Sequence, residues 1–160
     1  MLYVDAGGGV AHYSRANPPD WGGLREDCRL WGRSKKVWKE LKETLEMAWW
    51  YTLRCAGVPE KKITDTLGYG PSGEAAHTLF YYGETHFPGY TDRGYSVWVG
   101  YGDACVYWCG AVHEFTHVTH FLTGLRPPKP DPQWKACLEV HARLAEAACL
   151  ATAYGMVYPR

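Results

Sequence analysis

Four of the seven residues from Arg126 to Pro132 (Arg-Pro-Pro-Lys-Pro-Asp-Pro) are proline, and this run constrains the fold more than any other stretch. Proline fixes φ, removes an amide donor and drives the preceding residue out of the helical region. The segment is therefore a stiff, extended connector, and the helical patterns on its two sides belong to separate helices. Before it, the spacing predicts a helix from Ala104 to about Thr123, capped by Asp103 and closed by Gly124. After Pro132, a last helix runs to about Tyr154.

The upstream chain is less uniform. Ser34 is a plausible cap for a helix reaching about Ala56, because Val37, Leu41, Leu45 and Ala48 recur at three- to four-residue spacing. Gly57 ends it, and Pro59 opens a short helix to about Leu67. Residues 68–73 read as a loop. Two β-like runs follow, Ala76 to Tyr82 and Tyr95 to Tyr101. In the second, Tyr95, Val97, Val99 and Tyr101 face one way and Ser96 and Trp98 the other. Pro88, Gly89 and Gly94 between the runs suit a hairpin with a long loop. Residues 1–32, with Gly7-Gly8-Gly9 and Pro18-Pro19, read as an irregular arm. The expected order of helix, short helix, hairpin, helix, helix is an α+β layout in one domain over residues 1–160.

Composition narrows the partners. Apolar residues make up 46% of the chain, enough for a real core, and 17 Lys and Arg balance 17 Asp and Glu. The densest basic stretch, residues 33–42, alternates with apolar residues as a solvated helix face does, so no nucleic-acid or anionic-lipid footprint is expected. No stretch has the roughly 18 apolar residues that span a bilayer, and residues 1–10 lack the pattern of a signal peptide. The expectation is a monomer that is cytoplasmic by default, although a mature secreted form would read the same way. None of the six cysteines (28, 55, 105, 109, 137 and 149) forms a Cys-x-x-Cys pair, which argues against a zinc knuckle or a thioredoxin-type site. Buried free thiols are their plainest reading.

Within the Ala104 helix stands His113-Glu114-Phe115-Thr116-His117. Helical residues four apart lie roughly 40° around and about 6 Å along the axis, so two imidazoles can reach one Zn²⁺. Glu114, one step from the first ligand, projects beside that face, where a carboxylate can take a proton from a water activated by the metal. A third ligand is needed. His120 shares the stripe but sits about 10 Å along the axis from His113, too far for one ion. An antiparallel return across the connector places Glu139 opposite His117, which favours Glu139, with Glu146 and His141 as the alternatives.

These residues resemble the gluzincins, zinc metallopeptidases that combine His-Glu-x-x-His with a Glu ligand on a later helix. Small members carry Glu-x-x-Ala there, and this chain reads Glu139-Val140-His141-Ala142. The resemblance covers roughly residues 76–154 and implies a zincin-like fold, a small antiparallel sheet packed on the active-site helix and the Glu-bearing helix. It implies His113, His117 and Glu139 as ligands of one catalytic zinc ion, Glu114 as general base, and a peptide or protein substrate. It also implies a strand pairing with substrate backbone, a role for residues 95–101. Two departures stand out. Family members often carry Asp or Asn four residues after the Glu ligand, orienting a zinc-binding His; here that position is Arg143. The metzincin variant, which needs Gly at His120 and His at Thr123, is not matched. For the hydrogen bond to a developing oxyanion, Tyr154, Tyr158, His141 and His86 are all available, with Tyr154 preferred. The alternative function is a zincin-shaped binding or regulatory protein whose zinc site is inactive or plugged by its own chain, the first 32 residues or the tail Tyr158-Pro159-Arg160.

Cys105, Cys109, His113 and His117 follow one another at four-residue spacing and share a stripe. If Glu139 faces the two histidines, antiparallel pairing sets Cys149 near position 105. A Cys105–Cys149 or Cys109–Cys149 disulfide tying the two helices together is the resulting expectation.

Overall fold

The computed structural model describes residues 3–4, 10–14, 18–31, 35–71, 76–80, 95–100, 104–123 and 131–155. In chain order the elements are strands β1 (Tyr3–Val4) and β2 (Val10–Ser14), then helices α1 (Trp21–Trp31), α2 (Lys35–Cys55) and α3 (Glu60–Leu67). Strands β3 (Ala76–Phe80) and β4 (Tyr95–Gly100) follow, then helices α4 (Ala104–Leu122) and α5 (Pro132–Tyr154). The four long-range elements expected from spacing, α2, α3, α4 and α5, fall where the periodicity puts them.

Helix α4 organises the core because it is apolar on two sides, as a helix surrounded by other elements must be. Tyr107, Ala111 and Val118 pack against Tyr13, Val97 and Val99 of the sheet. Cys105 and Cys109 turn the other way, into a second cluster with Cys28 of α1, Val37 and Leu41 of α2, and Ala147 and Leu150 of α5. Helix α5 lies between α4 and α2 and packs on both. The buried face of α2 is Val37, Leu41, Thr44 and Ala48; Leu45, expected on that face, points outward at 48% exposure.

The expected α+β, zincin-like class is corrected. Helices of 11, 21, 8, 19 and 23 residues stand against strands of 2, 5, 5 and 6 residues, so the described chain is mostly helical. The physical reason is that α2 and α5 bury their apolar faces directly on each other. The sheet, in the order β1-β2-β4-β3, covers only one side of α4. β3 and β4 pair antiparallel with Phe80 opposite Tyr95, the pairing the hairpin reading needs. The loop between them lies outside the described residues, as do Ser34, Asp103, Gly124 and residues 126–130.

The irregular arm over residues 1–32 is also corrected. β2 sits inside the sheet, pairing with β4 from Val10↔Gly100 to Ser14↔Ser96. Residues 21–31 are helical despite Gly22 and Gly23, because Asp20 Oδ1 accepts the Gly23 amide at 3.1 Å and satisfies an otherwise orphaned donor. Trp21 then meets Trp108 and Phe115 edge-on, with ring centroids 5.2 and 4.9 Å apart. At the other end of the chain, Pro132 is not part of the extended connector. It occupies the first turn of α5, where a missing amide is harmless, and Asp131 caps the helix by accepting from the Gln133 and Trp134 amides.

All six cysteines are paired, which overturns the free-thiol reading. Cys109–Cys149 joins α4 to α5, one of the two pairings expected. Cys28–Cys105 joins α1 to α4, and Cys55–Cys137 joins α2 to α5.

Candidate metal centre

The seam between α4 and α5 brings His113 and His117 of one helix against Glu139 and Glu146 of the other. Four-residue spacing sets His113 and His117 on the α5 side of α4, their rings 5.0 Å apart. Antiparallel α5 brings Glu139 between them. His113 Nε2 lies 3.0 Å from Glu139 Oε1, and His117 Nε2 lies 2.6 Å from Glu139 Oε2. One ligand atom from each of the three residues falls within 4.8 Å of the others, so this group could hold a metal ion. Two imidazole nitrogens and a carboxylate oxygen form a donor set found at tetrahedral zinc sites with an open fourth position. Ligand atoms around such an ion stand roughly 3.3 Å apart, given bonds of about 2.0–2.1 Å. The two His–Glu139 distances, 3.0 and 2.6 Å to different oxygens of the one carboxylate, are those of direct contacts, and the three ligand atoms together lie within 4.8 Å of one another.

The other nitrogen of His113 is fixed by a residue the sequence reading had placed only among the alternative ligands. His113 Nδ1 donates to Glu146 Oε1 at 2.9 Å, which directs Nε2 toward the cluster. Glu146 thus occupies the orienting place that the pattern put at position 143. It does so because residues 139 and 146 are two turns apart on the same face of α5. Arg143 lies one turn from Glu139, its Nε 3.4 Å from Glu139 Oε1, and its guanidinium sits 5.7 Å from the centre of the Tyr51 ring. Tyr51 of α2 therefore approaches this group through Arg143; four-residue spacing puts Arg143 beside Glu139, but nothing in the spacing places Tyr51 there. Burial and the Glu139 charge push the Tyr51 phenol up, against the pull of Arg143.

Electrostatics follow from burial and from these contacts. Burial alone drives the His113 imidazole down, but hydrogen bonds and charge from Glu139 and Glu146 override it and lift the pKa to about 9. Burial likewise pushes the Glu139 carboxyl up, and the two histidines more than reverse that, holding it well below the usual carboxylate range. His120 is lowered to about 4 by burial and then by its neighbours His117 and His141.

Glu114 is brought to the same place, only 5% exposed, with Oε1 4.0 Å from His113 Nε2. That distance leaves it beside the ligand group rather than in it. His120 stands next along the stripe, its ring 5.6 Å from that of His117. His141 faces His120, not the His113–His117–Glu139 group. Tyr154 is not brought to the cluster. It lies some 22 Å along α5 from Glu139, with its ring 5.6 Å from that of Trp38 and its side chain against the Cys105–Leu150 core. His86 and Tyr158 lie outside the described residues.

The strand assigned to substrate has no free edge. β4 is flanked by β2 on one side and β3 on the other, so its backbone groups are already paired and cannot accept an added strand. A cavity of about 530 Å³ lies between α2 and α3, lined by Trp50, Tyr51, Glu60 and Thr64 among others, with no residue of α4 or α5 among the described residues of its lining. Comparisons with protein families, with curated protein sequences and with solved structures find no match to this chain.

Proposed function

We propose that the α4–α5 seam is the centre of a zinc-dependent peptide hydrolase, with His113, His117 and Glu139 holding the ion. The observation that carries this reading is the convergence of both Nε2 atoms on the single carboxylate of Glu139, at 3.0 and 2.6 Å, with Glu114 beside them. A bound zinc ion would supply Lewis acidity, acidifying a water and polarising a carbonyl.

The chain's own residues divide the remaining work. Glu146 holds His113 in the tautomer that turns Nε2 toward the cluster. Glu114, buried and next to that nitrogen, is placed to accept a proton from an attacking water and to pass it to the leaving amine. Arg143, beside Glu139 and over Tyr51, offers a positive group for an anionic oxygen of the substrate.

The test is Glu114→Gln. It should bind zinc as the wild type does and lose roughly 10²- to 10⁴-fold in cleavage of an unfolded protein. Loss of zinc from Glu114→Gln would show that Glu114 is a structural element of the site. Zinc bound by the wild type without any cleavage would favour a metal-holding binding protein instead.

A further inference from the structure

One turn beyond His117, a second pair of imidazoles faces across the same seam, and the hydrolytic reading makes no use of it. His120 Nε2 of α4 and His141 Nδ1 of α5 stand 3.4 Å apart, and their ring centroids are 5.4 Å apart. An N–H···N hydrogen bond normally brings its nitrogens closer than this, to about 3.0 Å. Two ligands on a tetrahedral ion with bonds of about 2.0–2.1 Å lie roughly 3.3 Å apart, which is this spacing. His120 is 5% exposed, and its other nitrogen, Nδ1, is buried with no hydrogen-bond partner among the described residues. Buried polar atoms are nearly always paired, so an imidazole this deep, with Nδ1 unpartnered among the described residues and Nε2 held only by the long contact to His141, is poorly satisfied as it stands. His141 sits at the exposed rim of the seam and also lines a groove of about 310 Å³, so solvent reaches the pair from one side.

We propose that His120 and His141 form a second site for a divalent transition-metal ion of the imidazole-binding kind, such as Zn²⁺, Cu²⁺ or Ni²⁺. The remaining coordination positions are open to water or to a donor atom from a substrate. With two protein ligands in place of three, the site is weaker than the His113–His117–Glu139 group and fills after it. The rings of His117 and His120 are 5.6 Å apart, so the two ions are neighbours along one seam. The inference rests on the His120–His141 geometry and stands whether or not the first centre hydrolyses anything.

Zinc titration of the full oxidised chain by equilibrium dialysis, with metal counted by emission spectroscopy, tests it. Wild type should take up two equivalents, His141→Ala one and Glu139→Ala one. The exposed position of His141 makes loss of fold in His141→Ala unexpected, and circular dichroism checks it. One equivalent in wild type that disappears in Glu139→Ala overturns the second site, as does a folded His141→Ala that still binds two. One equivalent that disappears in His141→Ala yet persists in Glu139→Ala would establish the second site and remove the first.

Discussion

At the scale of single residues, the seam is governed by which nitrogen carries which proton. Glu146→Ala frees the His113 ring to turn and is expected to weaken metal binding by about 10- to 100-fold, read by competition with a chromophoric chelator. Glu146→Gln keeps an accepting oxygen and should lose less. Without metal, His113 is held charged between two carboxylates, with its pKa raised to about 9. A raised histidine contributes stability that is complete below its unfolded value of about 6.5 and lost as pH climbs through about 9. Glu139, lowered, acts in the opposite sense. Its contribution is present above about 4.5 and lost as pH falls. The unfolding free energy of the metal-free chain, measured in urea, should therefore be highest between those limits and fall toward alkaline pH, by on the order of 3 kcal/mol from His113. Bound metal replaces the Nε2 proton, so the alkaline loss should vanish in the zinc form and zinc uptake near neutrality should release protons. The juxtaposition of His113, His117 and Glu139 was legible from four-residue spacing and the proline connector. The orienting role of Glu146 was not, because the family pattern sets that residue one turn past the Glu ligand and this chain sets it two turns past Glu139.

At the scale of elements, the ligand geometry depends on how firmly α4 and α5 are held together. The Cys109–Cys149 bridge lies one turn before His113 and closes 40 residues of chain. Removing it as Cys109→Ala/Cys149→Ala should reduce stability by about 4 kcal/mol on loop entropy, measured by urea unfolding, and should loosen zinc binding as well. This pairing was legible because antiparallel helices put predictable positions opposite each other. Cys28–Cys105 and Cys55–Cys137 were not, since they depend on where α1 and α2 lie. Helix α1 was itself hidden. Pro18, Pro19, Gly22 and Gly23 read as loop, whereas the Asp20 contact, the Trp21 packing against α4 and the Cys28–Cys105 bridge hold that segment in place as a helix.

At the scale of the molecule, the three bridges link α1 to α4, α4 to α5 and α5 to α2, so the long helices form one covalently closed set. Six paired cysteines are the usage of chains that fold in oxidising surroundings, which runs against the cytoplasmic expectation. Protein refolded in a glutathione redox buffer should weigh six hydrogens less than its reduced form, and reduction should lower its melting temperature. Among the described residues no helix is long and apolar enough to cross a membrane. The α+β expectation failed at this scale because the periodicity located the helices without showing that α2 and α5 pack on each other. The sheet order carries a consequence for how the chain reaches this state. β2 leaves the ribosome 82 to 90 residues ahead of its partner β4. The interior of the sheet is thus closed by contacts distant in sequence, which folds slowly, and until residue 100 emerges β2 has only the short β1 beside it, leaving its other edge exposed to aggregation or chaperone capture.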